Sequence, residues 1–263
     1  MTRYAALVTA GGRLSPELSA LCGTPIKALA PLGDRSFIEH VCSALRASGI
    51  VETIAVVGSV AVLQNAGIVA DLWVEEGETL PENLRRAIAA LREAGHLRGE
   101  ERLLLCATDA VFLHADTVRE LSRVADEAPN ADIVFPLVRE ADYERAFPQS
   151  PNVYAPLAGE RLTGSSVQIV RPAAIERSLP YIERAFAARK SQWQMARLLG
   201  AGFVWRFVTR TLTVADAVKK VESATGLQVH APILTDARVA ADVDSVTDYE
   251  YAKRYHEGAM TTP

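Results

Sequence analysis

Apolar residues are distributed along this chain in two alternating patterns. Short unbroken runs such as Tyr4 to Val8 and Leu103 to Ala107 are bounded by glycine or polar positions, as strands buried on both faces require. Longer segments instead repeat their apolar positions every three or four residues, as helices covering a sheet do. The first pattern predicts strands near Tyr4 to Thr9, Thr53 to Gly58, Ile68 to Trp73, Arg102 to Ala107 and Asp132 to Pro136. The second predicts helices near Ser36 to Ser48, Pro81 to Ala94, Ala115 to Ala125, Glu140 to Phe147, Pro172 to Ser178, Gln192 to Leu199 and Val214 to Thr225, and a last one after Asp244-Ser245 running toward His256. Between Asn152 and Arg171 the pattern shortens to extended pieces with turns at Ala158-Gly159 and Gly164, a hairpin-like insertion. Strands alternating with helices predict an α/β fold: three layers, α/β/α, around a mainly parallel mixed sheet.

Candidate chemistry lies where the predicted strands end. The first runs into Ala10-Gly11-Gly12-Arg13, and Lys27 follows in Pro25-Ile26-Lys27-Ala28-Leu29. Bare backbone N–H groups beside two cations suit an anionic ligand, most simply phosphate. The spacing matches neither G-x-G-x-x-G nor the P-loop, so a dinucleotide fold and a P-loop ATPase lose their main support. A tight strand-to-helix turn with surface-exposed Arg13 and Lys27 fits the same residues. Asp109 emerges from Leu103-Leu104-Leu105-Cys106-Ala107, and a carboxylate leaving a buried strand has to be hydrogen-bonded, paired or metal-bound. The alternative is a turn or N-cap aspartate, a role that His114 or Asp116 can also fill. Asp242 and Asp244, two apart in an extended segment, share one face. Ser245 and Asp248 have capping-box spacing, so Asp244 also suits a helix lead-in. Thr79, Pro81 and Glu82 read as the start of a helix.

The order Ala10-Gly11-Gly12, Pro25-Ile26-Lys27-Ala28-Leu29, Phe37-Ile38-Glu39-His40-Val41, Thr108-Asp109-Ala110-Val111-Phe112-Leu113, Leu162-Thr163-Gly164 and Asp242-Val243-Asp244-Ser245-Val246-Thr247-Asp248 resembles the sugar-phosphate and molybdopterin nucleotidyltransferases, and most closely their broad MobA-like group. The resemblance covers nearly the whole chain and implies a fold of the GT-A, nucleotide-diphospho-sugar transferase type. It implies one domain over residues 1–263, with nucleotide bound by about 1–110 and acceptor by about 111–263. It also implies a nucleotidyltransferase of the EC 2.7.7 type that passes a nucleoside monophosphate from a nucleoside triphosphate to a phosphorylated small-molecule acceptor and releases pyrophosphate. Ala10, Gly11, Gly12, Arg13 and Lys27 would then hold the triphosphate, and Asn83 would contact base or ribose. Asp109 and Asp244 would bind Mg²⁺ or Mn²⁺, with Asp242 beside them, and Lys27, Asp109 and Asp244 would carry the chemistry. Gly164, Arg189 and Lys190 would meet the acceptor. Relatives commonly continue the paired glycines as Gly-x-Gly-x-Arg, whereas Arg13-Leu14-Ser15-Pro16-Glu17 follows here and Ile26 separates Pro25 from Lys27. The departure bears on triphosphate geometry more than on the fold. A GT-A glycosyltransferase using a sugar nucleotide, or a nucleotide-binding scaffold without turnover, are the alternatives.

Composition narrows the setting. Of 263 residues 49% are apolar, enough for a large core, and no low-complexity linker or repeat divides them. The N-terminus enters a strand directly rather than through a signal-type sequence, and Cys22, Cys42 and Cys106 lack paired spacing, so a cytoplasmic protein with structural cysteines is expected. The uncharged run from Thr53 to Ala70 reads as strand, turn, short helix and strand rather than a membrane span. The five histidines show no metal spacing, and no G-x-S-x-G elbow occurs. The formal charge of −4 is unevenly spread. Residues 184–210 carry six basic side chains and no acidic one, leaving 22 basic and 32 acidic residues elsewhere, a formal −10. Aromatic residues interleave those cations, a pattern that suits an anionic acceptor, a membrane surface or nucleic acid. An amphipathic helix and strand packed on the core accounts for the same residues. A nucleic-acid partner is not expected, and a peripheral membrane contact through 184–210 stays open.

Overall fold

The structure, a computed structural model, describes residues 2–97, 99, 101–188 and 191–258. Its main sheet holds β1 (Tyr4–Thr9), β2 (Val51–Gly58), β3 (Leu72–Glu75), β4 (Leu103–Ala107), β5 (Ile133–Val134), β6 (Val167–Val170) and β7 (Val229–His230), in the order β7-β5-β6-β4-β1-β2-β3. β1 pairs in parallel with β2 and with β4, so that Thr9 stands opposite both Val57 and Ala107. β2 with β3 and β5 with β7 are also parallel, while β6 runs antiparallel to β4 and β5.

Alternation along β1 divides the core between the two faces. Ala6 and Val8 face Phe37, Ile38 and Val41 of helix Phe37–Ala47 and Leu121 of helix Ala115–Glu127; Ala5 and Leu7 face Leu84, Ile88 and Leu91 of helix Leu80–Glu93. Both faces are therefore covered, which is why the strand reads as an unbroken apolar run. Full burial of one such Leu, Ile or Phe contributes roughly 1.5–3 kcal/mol. The helices begin where the sequence signals a start. Thr79 accepts a hydrogen bond from Glu82 N, and Ser36/Glu39 and Ser245/Asp248 form capping boxes.

Several predicted elements change extent. The third strand is Leu72–Glu75 rather than Ile68 to Trp73, because Ile68 N closes the end of helix Val60–Asn65 on Leu63 O and the Asp71 carboxylate accepts Ile54 N at 2.7 Å, so the chain joins the sheet only afterwards. Asp132 to Pro136 shrinks to β5. Pro136 has no N–H to continue a ladder, and the chain crosses to a smaller sheet of Leu137–Arg139, Ala155–Leu157, Glu160–Gly164 and Ile233–Leu234. The insertion after Asn152 supplies two strands of that sheet. Helix Pro172–Ala188 runs through Pro180 instead of ending at Ser178. Helix Pro16–Cys22 lies in the polar stretch after the paired glycines, where Ser15 as N-cap, Pro16 and a left-handed Gly23 (φ 70°) mark it. The strand expected inside 184–210 is instead a second helix, Ala201–Val208, which follows helix Gln192–Leu199 and buries none of its residues. No helix among the described residues is long and apolar enough to cross a membrane.

Candidate active site

The carboxyl ends of the parallel strands are where the side chains meet. The Gly-Gly loop leaves the end of β1 and doubles back, with Leu14 N donating to Pro25 O and Lys27 N to Gly12 O at 3.0 and 3.1 Å. This short antiparallel bridge of Arg13 with Ile26 brings the Lys27 stem against Gly12, where an added Cβ would lie 3.5 Å from it. Asp109 follows β4 at the same edge, in a turn closed by Val111 N on Asp109 O. His114 caps the next helix, accepting from Asp116 N, so Asp109 is free of that duty.

Asp242 and Asp244 arrive from the far end of the chain. Ala241 and Val243 between and before them are fully buried, so the period of two turns both carboxylates the other way. Ser166, at the start of β6, ties this segment to the sheet. Its N–H donates to Val239 O, its carbonyl accepts Ala107 N at 3.0 Å, and its hydroxyl donates to Asp242 Oδ2 at 2.7 Å. One ligand oxygen each from Asp109, Asp242 and Asp244 lies within 4.8 Å of the others.

The Lys27 ammonium joins the cluster, donating to Asp109 Oδ2 at 2.5 Å and also to Asp244 Oδ1. Burial works against its charge, but the two carboxylates outweigh that and raise its pKa above the ordinary lysine value. Asp242 moves the other way from a usual carboxylate. Burial, then the Asp109 charge, push it up to about 6 despite the Ser166 bond. Asp109 Oδ1 is buried without a hydrogen-bond partner among the described residues. Three carboxylates against one ammonium leave excess negative charge, and the donors are all oxygen, so the site fits a hard divalent cation such as Mg²⁺.

A second group surrounds Gly11. The Arg13 guanidinium donates to Gly11 O at 2.9 Å and pairs with Glu76 Oε1 at 2.5 Å. A Cβ on Gly11 would come within 2.5 Å of Glu76 Oε2 and 3.3 Å of Asn83 Nδ2, so a side chain here would have to displace the end of Glu76. Asn83 is buried, and its Oδ1 accepts Gly77 N at 2.6 Å. Glu76 and Ser166 were not singled out by sequence reasoning. The signal for Glu76 was its place directly after a short apolar strand and before Gly77; that of Ser166 was only its neighbourhood to Gly164.

Lys27, Asp109, Asp242 and Asp244 thus come together, with Gly12 against the Lys27 stem, and Gly11, Arg13 and Asn83 form the adjoining group. The face of Gly164 is taken up by an aromatic ring, since a Cβ there would lie 3.0 Å from Phe135 Cζ. Arg189 and Lys190 lie outside the described residues. Cys22, Cys42 and Cys106 are buried and free, and burial pushes the Cys42 thiol up to about 11.

Solved structures share this architecture. A hypothetical transferase from Thermus thermophilus is 29% identical over 94% of this chain and all of its own, with a TM-score of 0.79. A CMP:2-keto-3-deoxy-manno-octonic acid synthetase complexed with CTP is 12% identical over 98% of this chain and all of its own, with a TM-score of 0.60. A 4-diphosphocytidyl-2C-methyl-D-erythritol synthase is 16% identical over 98% and 99%, with a TM-score of 0.58. At such identities the last two share the fold alone. No curated protein matches the sequence significantly. The model of the MobA-like NTP transferase domain matches residues 6–214, most of the chain, and with the parallel sheet carrying the Gly-Gly loop and the aspartates at its carboxyl edge, the chain belongs to the MobA-like NTP transferase family.

Proposed function

We propose that this protein is a Mg²⁺-dependent nucleotidyltransferase that moves a nucleoside monophosphate from a nucleoside triphosphate to a phosphorylated small-molecule acceptor, releasing pyrophosphate. The observation that carries this reading is the cluster of Asp109, Asp242 and Asp244 around Lys27, with an unpartnered buried oxygen on Asp109. Asp109 and Asp244 would hold the divalent cation beside Asp242, with Mn²⁺ as the alternative ion. A bound divalent cation would supply charge neutralisation at the α-phosphate.

The chain's own groups do the rest. The Gly11-Gly12 backbone and Arg13 bind phosphate oxygens, whereas the Ala10 N–H expected to join them is already donated to Val57 O at 2.7 Å. Lys27, whose charge is secured by its carboxylate partners, is positioned to exchange one of them for a phosphate oxygen. An ionised acceptor phosphate needs no general base, so transfer rests on alignment and charge stabilisation. Asn83 holds the loop at Gly77 beside the nucleotide, within the half of the chain formed by about 1–110. The remainder, with Arg189 and Lys190, takes the acceptor, while Gly164, covered by Phe135, serves packing instead, and the whole works as one domain.

A thermal-shift panel of the four ribonucleoside triphosphates, with and without Mg²⁺, tests the reading. One triphosphate raises the melting temperature only with Mg²⁺, and Asp109→Asn abolishes the shift while keeping the wild-type circular dichroism. A wild-type response in Asp109→Asn would remove the metal assignment. Pyrophosphate release with that triphosphate and a set of sugar and polyol phosphates then identifies the acceptor.

A further inference from the structure

Helix Ala201–Val208 carries Phe203, Val204, Trp205, Phe207 and Val208 and buries none of its residues. Trp205 is 70% exposed and Val208 67%. An eight-residue helix this apolar normally lies in a core or against another apolar surface. Here it packs on helix Gln192–Leu199 and is pinned by Arg206 to Asp216 at 2.7 Å. None of its aromatic residues belongs to the core on either face of the sheet.

The charge around it says what covers it. Residues 184–210 hold six cations and no anion in a chain that is otherwise acidic, and Arg197 and Arg210, on either side of the helix, are exposed. Exposed tryptophan, phenylalanine and valine among arginines suit the boundary of an anionic bilayer. The rings enter the acyl edge there, and the guanidinium groups reach lipid phosphates. We propose that helix Ala201–Val208 and its flanking arginines form a peripheral docking surface for an anionic lipid membrane. Among the described residues neither Asp109 nor Lys27 hydrogen-bonds to this helix, and the inference does not rest on the catalytic reading.

The test is co-sedimentation of the full-length protein with vesicles of phosphatidylcholine alone or mixed equally with phosphatidylglycerol, at low and at physiological salt. The protein sediments with the anionic vesicles, not with the neutral ones, and salt reduces binding. Trp205→Ser/Val208→Ser lowers the partition coefficient at least tenfold, and so does Arg197→Glu/Arg210→Glu, both with wild-type circular dichroism. Vesicle binding that both double variants retain would overturn the proposal, as would a protein that stays in the supernatant with anionic vesicles at low salt. Sedimentation velocity separates the other occupant. A dimer abolished by Trp205→Ser/Val208→Ser, without vesicle binding, would assign the face to a second copy and overturn the lipid assignment.

Discussion

Replacing Lys27 by methionine isolates the electrostatics of the cluster. Methionine keeps a stem of similar length against Gly12, so packing is largely retained, but Asp109 and Asp244 lose the cation that lies between them. Breaking a fully buried ion pair costs about 3–5 kcal/mol. The Lys27 and Asp109 side chains are only 12% and 16% exposed, but Asp244 is 71% exposed and its share is screened by water. Relief from the burial of the ammonium itself offsets a further part. The expected net loss is about 2 kcal/mol, which for a chain of this length lowers the melting temperature by about 4 °C. A divalent cation binding the three carboxylates supplies the missing charge. Mg²⁺ or Mn²⁺ in excess should therefore recover most of the loss in Lys27→Met, and raise its melting temperature more than that of the wild type, whose lysine competes for the same oxygens. Differential scanning calorimetry of both proteins, in chelator and in titrated metal, measures this without any substrate. A Lys27→Met protein as stable as wild type in chelator, or one that metal leaves unchanged, would refute the account of Lys27 as the counter-charge at a cation site.

Gly11→Ala should leave stability within about 1 kcal/mol, because the group it strikes is the swinging end of Glu76, whose pair with half-exposed Arg13 is weak. The same change should weaken triphosphate binding about tenfold or more, roughly 1.4 kcal/mol, as read by calorimetric titration; unchanged affinity would take the Gly11 amide out of the phosphate site. Asp236, bonded by Thr117 Oγ1 at 2.6 Å and by Arg238 Nε at 2.8 Å, has its pKa held down by these partners against the opposing effect of burial. A depressed carboxylate contributes stability above its unfolded pKa and loses it as pH falls. Asp236→Asn should therefore cost about 1–2 kcal/mol at neutral pH, and urea melts should find the gap closing in acid. A gap that stays constant with pH would show that the charge plays no part.

The elements that were legible in the sequence are those governed by local rules. β1 and β4 declare themselves as uninterrupted apolar runs, and helices Leu80–Glu93 and Val246–His256 by Thr79 with Pro81 and by the Ser245/Asp248 box. Asp109, Gly11 and Gly12 stood out because each follows such an element, Lys27 as a cation in the loop that follows, and their family-like order supplied what spacing alone could not. The same logic misplaced β3, since only the pairing of Asp71 with Ile54 decides where the chain enters the sheet.

By itself, then, the sequence determined the α/β class, the element starts and the set of side chains available for phosphate and metal chemistry, because period, capping and strand ends are short-range properties. Tertiary structure decided which of these meet. Lys27 and Asp244 are 217 residues apart in sequence, and Arg13 and Glu76 are 63 apart. Their juxtaposition depends on strand order, with β1 between β2 and β4 and β6 reversed against β4 so that Ser166 reaches Asp242. The sheet order likewise leaves helix Ala201–Val208 outside the core, which its apolar composition would not suggest. Burial and charge pairing are properties of the assembled fold, and no local pattern encodes them.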